Sequence, residues 1–536
     1  MPTSGRDIIL KLYNAIWSKG QLPKAWKHAI ILPILKVGKD PQQATSYRPI
    51  SLTSTMSKLM ERLVTNRLMW YWEKFGLLSN IQSGFRRDRS TADQIIRLQD
   101  LVTRHQHNKG HVLAVFVDFE KAFDMVWRNG LLIKLKKLGI NGKMFSWIAD
   151  FFTDRTIQVR VGSSLSNVYI LENGTSQGSM ISPAMFIGMI DDLPSSLHNT
   201  DTSLFADDST LFKAGRNIKH LQRAVQIDLN ALQEWCDTWG FKISAEKSVA
   251  ILFTRSSDKP AIQLEIDGKR VKVENSAKFL GVIFDQQMTW QQHIDYLVGK
   301  CNKCLNLMRA ISGTRRGATH RSLITIYRTL IRSVIDYGAA AYDSASASQL
   351  QRIDSIQYSA LRLCCGAMKG TAAAALQVEC GEIPLQLRRL QQQIKFASKV
   401  KATPTHVAKS IFDDHWTTHY GNFATNARPI AVKVSHYFED ADNVEVNTPK
   451  LANTPPWLVD APQIDTTLTK QISKKDSPEA LLALAREKID RQYGDCVQIY
   501  TDASKTTSGR VGLGCYIQPT TLYVNAENRR KRPPHQ

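Results

Sequence analysis

Residues 204–208 read Leu-Phe-Ala-Asp-Asp, and residues 115–124 read Val-Phe-Val-Asp-Phe-Glu-Lys-Ala-Phe-Asp. Each segment ends a short apolar run in carboxylates, and Asp207 follows Asp118 by 89 positions. Two apolar runs ending in acids predict two strands whose ends lie side by side. Oxygen-rich cages of this kind suit Mg²⁺, which takes one or two carboxylates and completes its shell with phosphates and water. A pair of such ions serves nucleotidyl transfer by steadying both the attacking and the leaving oxygen. Taken alone, the adjacent acids have a plainer reading, because Asp is an ordinary turn residue. Two neighbouring carboxylates in an apolar hairpin are nevertheless costly unless paired or metal-bound.

The surrounding chain has 536 residues, room for several domains, and carries 70 Lys and Arg against 48 Asp and Glu. A net charge of +22 points to a polyanionic partner. The excess is concentrated in residues 301–400, which hold 14 basic and 5 acidic side chains, a phosphate-tracking surface by expectation. Eight cysteines are sparse for this length and argue against a disulfide framework. Cys301-x-x-Cys304 has no second pair at finger-like spacing, so it reads as thiols on a helix rather than a zinc site. No apolar run reaches the roughly 20 residues a membrane span needs, and no signal-peptide pattern opens the chain.

Periodicity predicts helices over 6–19, 56–75, 91–107, 128–152, 180–193 and 217–239. It predicts strands over 29–35, where Pro33 implies an edge, and over 112–118, 248–254 and 278–284. Residues 156–161 and 168–172 can pair across Gly162-Ser163-Ser164, and 201–213 reads as strand, turn, strand around Asp207-Asp208. From 287 to about 400 the pattern is nearly all helix. Residues 401–480 lose periodicity and read as a linker or loosely packed connection. A helix at 482–491 and short strands at 496–501, 511–517 and 521–524 follow.

Further segments carry chemistry. Asn173-Gly174-Thr175-Ser176-Gln177-Gly178-Ser179 precedes an apolar helix, and a glycine there lets backbone approach a ligand closely. The alternative is a capped helix start with Ser179 or Ser182 as the cap. Phe123, five residues after Asp118, can exclude a sugar 2′-hydroxyl by overlap, or can simply be core.

The order of these pieces resembles the reverse transcriptase of non-LTR, LINE-like (Jockey/I-type) retrotransposons. The matching segments are Ile30–Lys39 with Tyr47–Leu52, Gln82–Arg86 with Ser90-Thr91, Asp118–Val126, Ser176–Phe186, Phe205–Asp208, Gly240–Lys247 and Lys278–Val282. The resemblance spans residues 8 to about 400. It implies an α+β, right-hand polymerase fold with an antiparallel palm sheet. Fingers and palm would fill residues 1–286, a helical thumb 287–400, a connection 401–480 and a partial α/β ribonuclease-H-like fragment 481–536.

By the same resemblance Asp118, Asp207 and Asp208 hold catalytic Mg²⁺ or Mn²⁺. Lys247 protonates leaving pyrophosphate, and Lys36 and Arg48 meet the incoming triphosphate. Phe123 is a steric gate, and Gln177 and Gly178 lie beside the nascent pair. Gln82, Arg86 and Arg87 contact template, with Arg89 adding local charge, while Lys278 and Gly281 belong to a primer-grip hairpin. Thumb phosphate contacts are expected from Arg321, Arg328, Arg332, Arg388 and Arg389. The implied reaction copies element RNA into DNA from a DNA primer 3′-hydroxyl using dNTPs. The implied setting is an intracellular ribonucleoprotein, nuclear and cytoplasmic, with no membrane partner.

Two positions depart from the family pattern. Phe205 stands where Tyr is usual, and Ser176 stands where Pro is usual, which frees one φ angle. Near the C-terminus, Val497–Ser504 with Gly509–Gly514 resembles the opening strands of a ribonuclease H domain. Asp502 matches its first metal-binding aspartate, but only Glu527 follows it before the basic run 529–532, so ribonuclease H activity is expected to be absent. Both ends look cut, as in a truncated element copy. The competing readings are a nucleic-acid-binding remnant without catalysis and a domesticated or maturase-like relative.

Overall fold

A computed structural model describes residues 3–256, 260–313, 317–403, 405–412 and 429–439. It also describes short pieces at 455, 457–458 and 467–468, a helix region at 477–493, and strands at 499–505 and 511–517. The chain divides into two units, Met1–Leu451 and Ala452–Gln536.

In chain order the first unit opens with α1 (Thr3–Lys19), β1 (His28–Leu35), β2 (Tyr47–Leu52), α2 (Thr55–Lys74), α3 (Thr91–His107) and β3 (His111–Val117). Then come α4 (Arg128–Lys137), α5 (Gly142–Phe152), β4 (Thr156–Val161), β5 (Ser164–Leu165), β6 (Tyr169–Ile170) and α6 (Ser182–Ile190). The helix expected over 128–152 is two helices. Gly139 at φ +79° and Gly142 at φ +59° turn the chain between them, a backbone that glycine adopts without strain.

The palm is the sheet β12-β9-β3-β8-β7, built from β7 (Asp201–Phe205), β8 (Asp208–Gly215), β9 (Val249–Phe253) and β12 (Lys272–Val273). Helix α7 (Ile218–Trp239) joins β8 to β9, and β10 (Glu265–Ile266) pairs with β11 (Lys269–Arg270) as a separate hairpin. Asn217 caps α7 by accepting from His220 N at 3.2 Å, and Gly240 at φ +77° ends it. The palm ladders are antiparallel except β12 on β9, which is parallel. The expected all-antiparallel palm thus gains a parallel edge.

Strand β3 reads as a continuous apolar run because both faces of the sheet are covered. Leu113, Val115 and Val117 enter a core with α2, α4, α6 and α7, whereas Val112 and Ala114 enter a second core with α3 and the helices after residue 290. The same alternation sends Ala250 and Leu252 one way and Ile251 and Phe253 the other, the period-two rule of a strand.

A second sheet, β2-β1-β4-β5 with β6 also on β4, forms the fingers. Here β1 is not an edge strand along its whole length. His28–Ile31 pair in parallel with Thr156–Val159, while Pro33 lies beyond that ladder and faces Pro49 of β2. The proline tolerates this because no neighbour on the other side needs its missing N–H.

The hairpin β13 (Ser276–Phe279) to β14 (Val282–Asp285) occupies the region read as one strand over 278–284. Its two loop residues, Leu280 at φ +45° and Gly281 at φ +85°, are both in the left-handed region, the signature of a tight hairpin turn. The helices that follow are α8 (Gln291–Ile311), α9 (His320–Ile326), α10 (Ser333–Asp336), α11 (Ala339–Tyr342), α12 (Ala347–Cys365), α13 (Ala373–Cys380) and α14 (Leu385–Ala402). A π-helical turn at Tyr327–Arg332 joins α9 to α10. Phe279, Val282 and Phe284 of the hairpin pack in this helical core, so the thumb body begins before residue 287.

The described parts of the expected linker are also packed. Ile411, and Ile430, Ala431 and Val434 of α15 (Ile430–Val434), are buried in the thumb core, ahead of α16 (His436–Glu439). Arg104 donates to the Ile411 carbonyl at 2.9 Å, and Lys433 pairs with Asp343 at 2.7 Å. Residues 405–412 and 429–439 therefore extend the thumb.

The second unit contains α17 (Pro478–Tyr493) and an antiparallel hairpin of β15 (Ile499–Lys505) and β16 (Val511–Ile517). Asp502 stands opposite Gly514 in that hairpin. The expected strand at 521–524, Glu527 and the basic run 529–532 lie outside the described residues. Among the described residues no helix is long and apolar enough to cross a membrane.

Candidate active site

Strand register brings the three carboxylates together. Val117 pairs with Ser209, so Asp118 and Asp208 are the next positions beyond the β3–β8 ladder. Asp207 sits in the two-residue loop that closes β7 onto β8 through the Phe205–Asp208 pair. The first loop residue, Ala206, has φ +56°, a position that hairpins ordinarily give to glycine. A strained alanine here is sustained only by packing around it.

That packing comes from Gln82-Ser83-Gly84. Gln82 is fully buried, and its side-chain carbonyl accepts from Gly84 N at 2.7 Å and Ala206 N at 3.1 Å. Ser83 N donates to the Leu204 carbonyl at 2.9 Å, which lays the segment along β7 like an added strand. A Cβ on Gly84 would stand 2.4 Å from Ala206 N.

This corrects the template-contact expectation for two residues. Gln82 braces the carboxylate turn from inside. Arg86 is buried and forms a two-pronged pair with Glu73, both prongs at 2.8 Å, while also donating to the Ser79 carbonyl at 2.6 Å. Arg87 stays exposed beside Asp88 at 3.3 Å. Arg89 donates to the Thr405 carbonyl at 3.1 Å.

The electrostatics are those of crowded like charges. Burial and the neighbouring carboxylates of Asp207 and Asp118 push the Asp208 carboxyl up to about 6. Burial and Asp118 also raise Asp207, against a backbone hydrogen bond that lowers it. Among the described residues no Lys or Arg pairs with Asp207 or Asp208, while Lys247 lies 3.5 Å from Asp118. Lys247 reaches that point because Ser244 N donates to the Asp118 carbonyl at 2.9 Å and Asp118 N donates to Ser248 Oγ at 3.2 Å. Among the described residues no three His, Cys, Asp or Glu side chains converge tightly enough to grip an ion as they stand. The donor set nonetheless fits a hard divalent cation, since mutually repelling carboxylates are what such a cation relieves.

Beside the carboxylates, Phe123 stacks on Phe186 at 4.3 Å and remains half-buried, so it is both part of the core rim and a wall of the site. Phe85 meets it edge-on at 6.3 Å and is exposed, with φ +57°. A bulky residue at positive φ is a genuine outlier. Sequence reading passed over this ring, although its place directly after Gly84 was the available signal.

The 173–180 loop lies across from these rings. Gly178 at φ +118° packs on β2, where an added Cβ would meet the Ser51 carbonyl at 2.7 Å, and Ser51 N donates to the Gln177 carbonyl at 2.7 Å. The Gln177 amide donates to Asp124 at 3.3 Å, and burial raises the Asp124 carboxyl while Gln177, Lys121 and Lys36 oppose that shift. Neither serine caps the next helix. Ser179 donates to buried Glu61 at 2.6 Å, and the cap position of α6 is Ile181.

On the fingers, Lys36 donates to the Thr45 carbonyl at 3.0 Å, and Arg48 is exposed on β2 opposite Ile34. In the thumb, Lys278 lies over the Tyr296 ring at 4.9 Å, and Gly281 turns against Tyr337. The Tyr337 hydroxyl meets both the Leu280 carbonyl at 2.5 Å and Thr91 Oγ1 at 3.1 Å.

The thumb arginines depart from expectation. Arg328 and Arg332 both bind Glu382, at 2.7 and 2.8 Å, Arg388 binds Asp336 at 2.7 Å, and buried Arg389 binds Asp343 at 2.8 Å. These four hold thumb helices together, which leaves exposed Arg321 as the remaining candidate of that set for phosphate. Cys301 is buried in the thumb core.

Residues 34–284 match the family model described as reverse transcriptase (RNA-dependent DNA polymerase). The chain is 28% identical over 375 residues to the RNA-directed DNA polymerase from mobile element jockey of Drosophila melanogaster, covering 68% of this chain and 41% of that protein. It is 32% identical over 359 residues to a "probable RNA-directed DNA polymerase from transposon BS" of the same fly, covering 66% and 40%. The chain thus spans about two fifths of the length of these relatives. A solved telomerase from Candida tropicalis, in complex with a fragment of telomeric RNA, aligns at a TM-score of 0.41 and 12% identity over 75% of this chain and 62% of that one. The carboxylate turn, the braced loop and the palm register lie inside the span that matches the reverse transcriptase family model, and the chain is similar to the RNA-directed DNA polymerases of the jockey and BS mobile elements.

Proposed function

We propose that the chain is an RNA-directed DNA polymerase that extends a DNA primer along an RNA template with dNTPs. The observation that carries this reading is the placement of Asp118, Asp207 and Asp208 at adjoining strand ends, with Lys247 on Asp118. Asp118 and Asp207, supported by Asp208, would hold divalent cations, Mg²⁺ by donor chemistry, and these when bound supply Lewis-acid stabilisation of the reacting oxygens.

The remaining work falls to the protein's own groups. Gln82 and Gly84 fix the turn that carries the carboxylates. Lys247, 3.5 Å from the Asp118 carboxylate, would give a proton to departing pyrophosphate. Lys36 and exposed Arg48 offer cations to a triphosphate from the fingers. Phe123 supplies bulk against a 2′-hydroxyl, and the Gln177-Gly178 backbone presents a close wall to the nascent pair. The hairpin tip at Leu280-Gly281, tied to the thumb by Tyr337, would hold the primer end.

Primer extension on an RNA template with dNTPs and Mg²⁺ is the test. The purified chain is expected to incorporate nucleotides, and Asp207→Asn to abolish incorporation while leaving template binding intact. No incorporation by the wild type, or full incorporation by Asp207→Asn, overturns the reading.

A further inference from the structure

The 173–180 loop is gripped at both ends by buried charged side chains from outside the motif that it carries. At its C-terminal end stands Glu61 of α2, which is 0% exposed. One carboxylate oxygen accepts from Ser179 Oγ at 2.6 Å and from Met180 N at 2.8 Å, and the other accepts from Ser57 Oγ at 2.8 Å. Glu61 has no ion-pair partner within bonding range among the described residues. Buried Arg155 nevertheless feels its charge, which opposes the lowering that burial imposes on that guanidinium.

At the other end stands buried Arg128 of α4, which donates to the Gly174 carbonyl at 3.1 Å, to the Phe152 carbonyl at 2.8 Å and to the Leu171 carbonyl. Between these anchors Thr175 N donates to the Phe123 carbonyl at 2.8 Å, so the loop and the Phe123 wall are one assembly.

A buried carboxylate is expensive unless its oxygens are filled, and hydrogen bonds to it are the strong kind. Glu61 touches no position that a nucleotide could occupy. All of its donors, except Ser57 on its own helix, belong to the turn that sets Gln177 and Gly178. Ser176 leaves the φ angle before Gln177 free, so the loop's shape has to be imposed through side chains.

We propose that Glu61 is a positioning residue for the incoming dNTP: its anionic clamp on Ser179 and Met180 sets the Gln177-Gly178 backbone at the height that the base pair and sugar require. This rests on the polymerase reading. It predicts a defect confined to dNTP affinity, because neither Glu61 nor Ser179 lies near Asp207, Asp208 or the primer-grip hairpin in any contact described above.

The experiment is single-nucleotide incorporation on an RNA template with a DNA primer, measured in Ser179→Ala, Glu61→Gln and wild-type chains. Ser179→Ala removes one charge-assisted hydrogen bond and should raise the dNTP KM about tenfold with kcat within about threefold of wild type. Glu61→Gln keeps one oxygen that can accept from Met180 N but loses the negative charge and the second acceptor, and should raise the dNTP KM in the same direction. Ser179→Thr keeps a hydroxyl and should restore most of the affinity. An unchanged dNTP KM in Ser179→Ala overturns the proposal, as does an equal fall in kcat and rise in primer–template KM. Ser179→Ala alone decides the matter if Glu61→Gln does not fold. A wild-type chain without incorporation counts against the polymerase reading itself, and in that case dNTP binding to the RNA–primer complex, followed by quenching of intrinsic tryptophan fluorescence, still separates Ser179→Ala from wild type if the clamp acts as stated; equal binding overturns it.

Discussion

Gly84→Ala should disable the carboxylate turn without adding charge or polarity anywhere. The new Cβ would stand 2.4 Å from Ala206 N and 3.1 Å from its Cα, against an ordinary contact distance of 3.4 Å or more. The obstacle is backbone, so no side chain can rotate aside. The turn must retreat by about 1 Å, and Ala206 already sits at a strained φ that Gln82 holds in place. Overpacking of this kind costs about 1–3 kcal/mol of stability. A displacement near 1 Å at a reacting centre costs about a hundredfold in rate. The assay is kcat for single-nucleotide incorporation on an RNA template, with a thermal melt of the same preparation. Expected is a fall of about two orders of magnitude in kcat with a folded protein below the melting transition. Gly299→Ala is the control, since Gly299 is exposed inside α8 with nothing within 4 Å of an added Cβ, and alanine there should stabilise by roughly 0.5–1 kcal/mol. A Gly84→Ala protein with kcat within threefold of wild type would refute the claim that this glycine sets the turn.

Arg86→Ala should lower stability by about 3 kcal/mol, because it strands Glu73 beside a buried cavity, and chemical denaturation will measure it; a change in template affinity alone would restore the template-contact view. Tyr337→Phe should raise the primer–template KM about fivefold with little change in melting temperature, since it removes a hydroxyl worth ~1 kcal/mol between thumb and hairpin tip. His293 is buried, its Nδ1 accepts from Ile283 N at 3.3 Å, and burial with Lys278 nearby holds its pKa down to about 4. The unfolded chain binds a proton on this group below about 6.5 while the folded one does not, so stability falls as pH drops from about 6.5 to about 4, by about 3 kcal/mol in all. His293→Asn, which retains an acceptor, should flatten that window relative to wild type in urea titrations at successive pH values.

Elements with strong local signals were legible in the chain. The helix at 91–107 begins on a Ser90–Asp93 capping box and shows a clear apolar stripe, and the structure places it over Thr91–His107. The strand ending at Asp118 is a pure apolar run, and Asp207-Asp208 is a turn between two such runs. What could not be read was pairing at a distance. Pro33 marks an edge only where the parallel partner of β1 has already ended, and a single sequence does not show where a partner ends. Within the span read as a linker or loose connection, residues 405–412 and 429–439 are packed, which was hidden for a related reason. Pieces of five to eight residues bury Ile411 and Ile430 without enough length to show a period.

In the candidate site the division follows charge. The carboxylates were recognisable because acids ending apolar runs are chemically specific, and the register delivered Asp118, Asp207 and Asp208 to one place. Basic residues were over-assigned to phosphate. Arg86, Arg328, Arg332, Arg388 and Arg389 all end on carboxylates, and Glu73, Glu382, Asp336 and Asp343 gave no hint of that from their spacing. The opposite error hid Glu61 and Arg128. Each looks like a solvated helix charge in sequence, yet both are buried and hydrogen-bond the loop, Arg128 donating to the Gly174 carbonyl and Glu61 accepting from Ser179 Oγ and Met180 N. Burying a guanidinium or carboxylate is costly unless it is hydrogen-bonded, and both oxygens of Glu61 and two of the three nitrogens of Arg128 have partners. Among the described residues, buried charges thus hold both backbone segments that flank the carboxylates, Arg86 at 79–82 under the turn and Glu61 with Arg128 at 173–180 across from it, as buried Asp228 holds 198–200 ahead of β7.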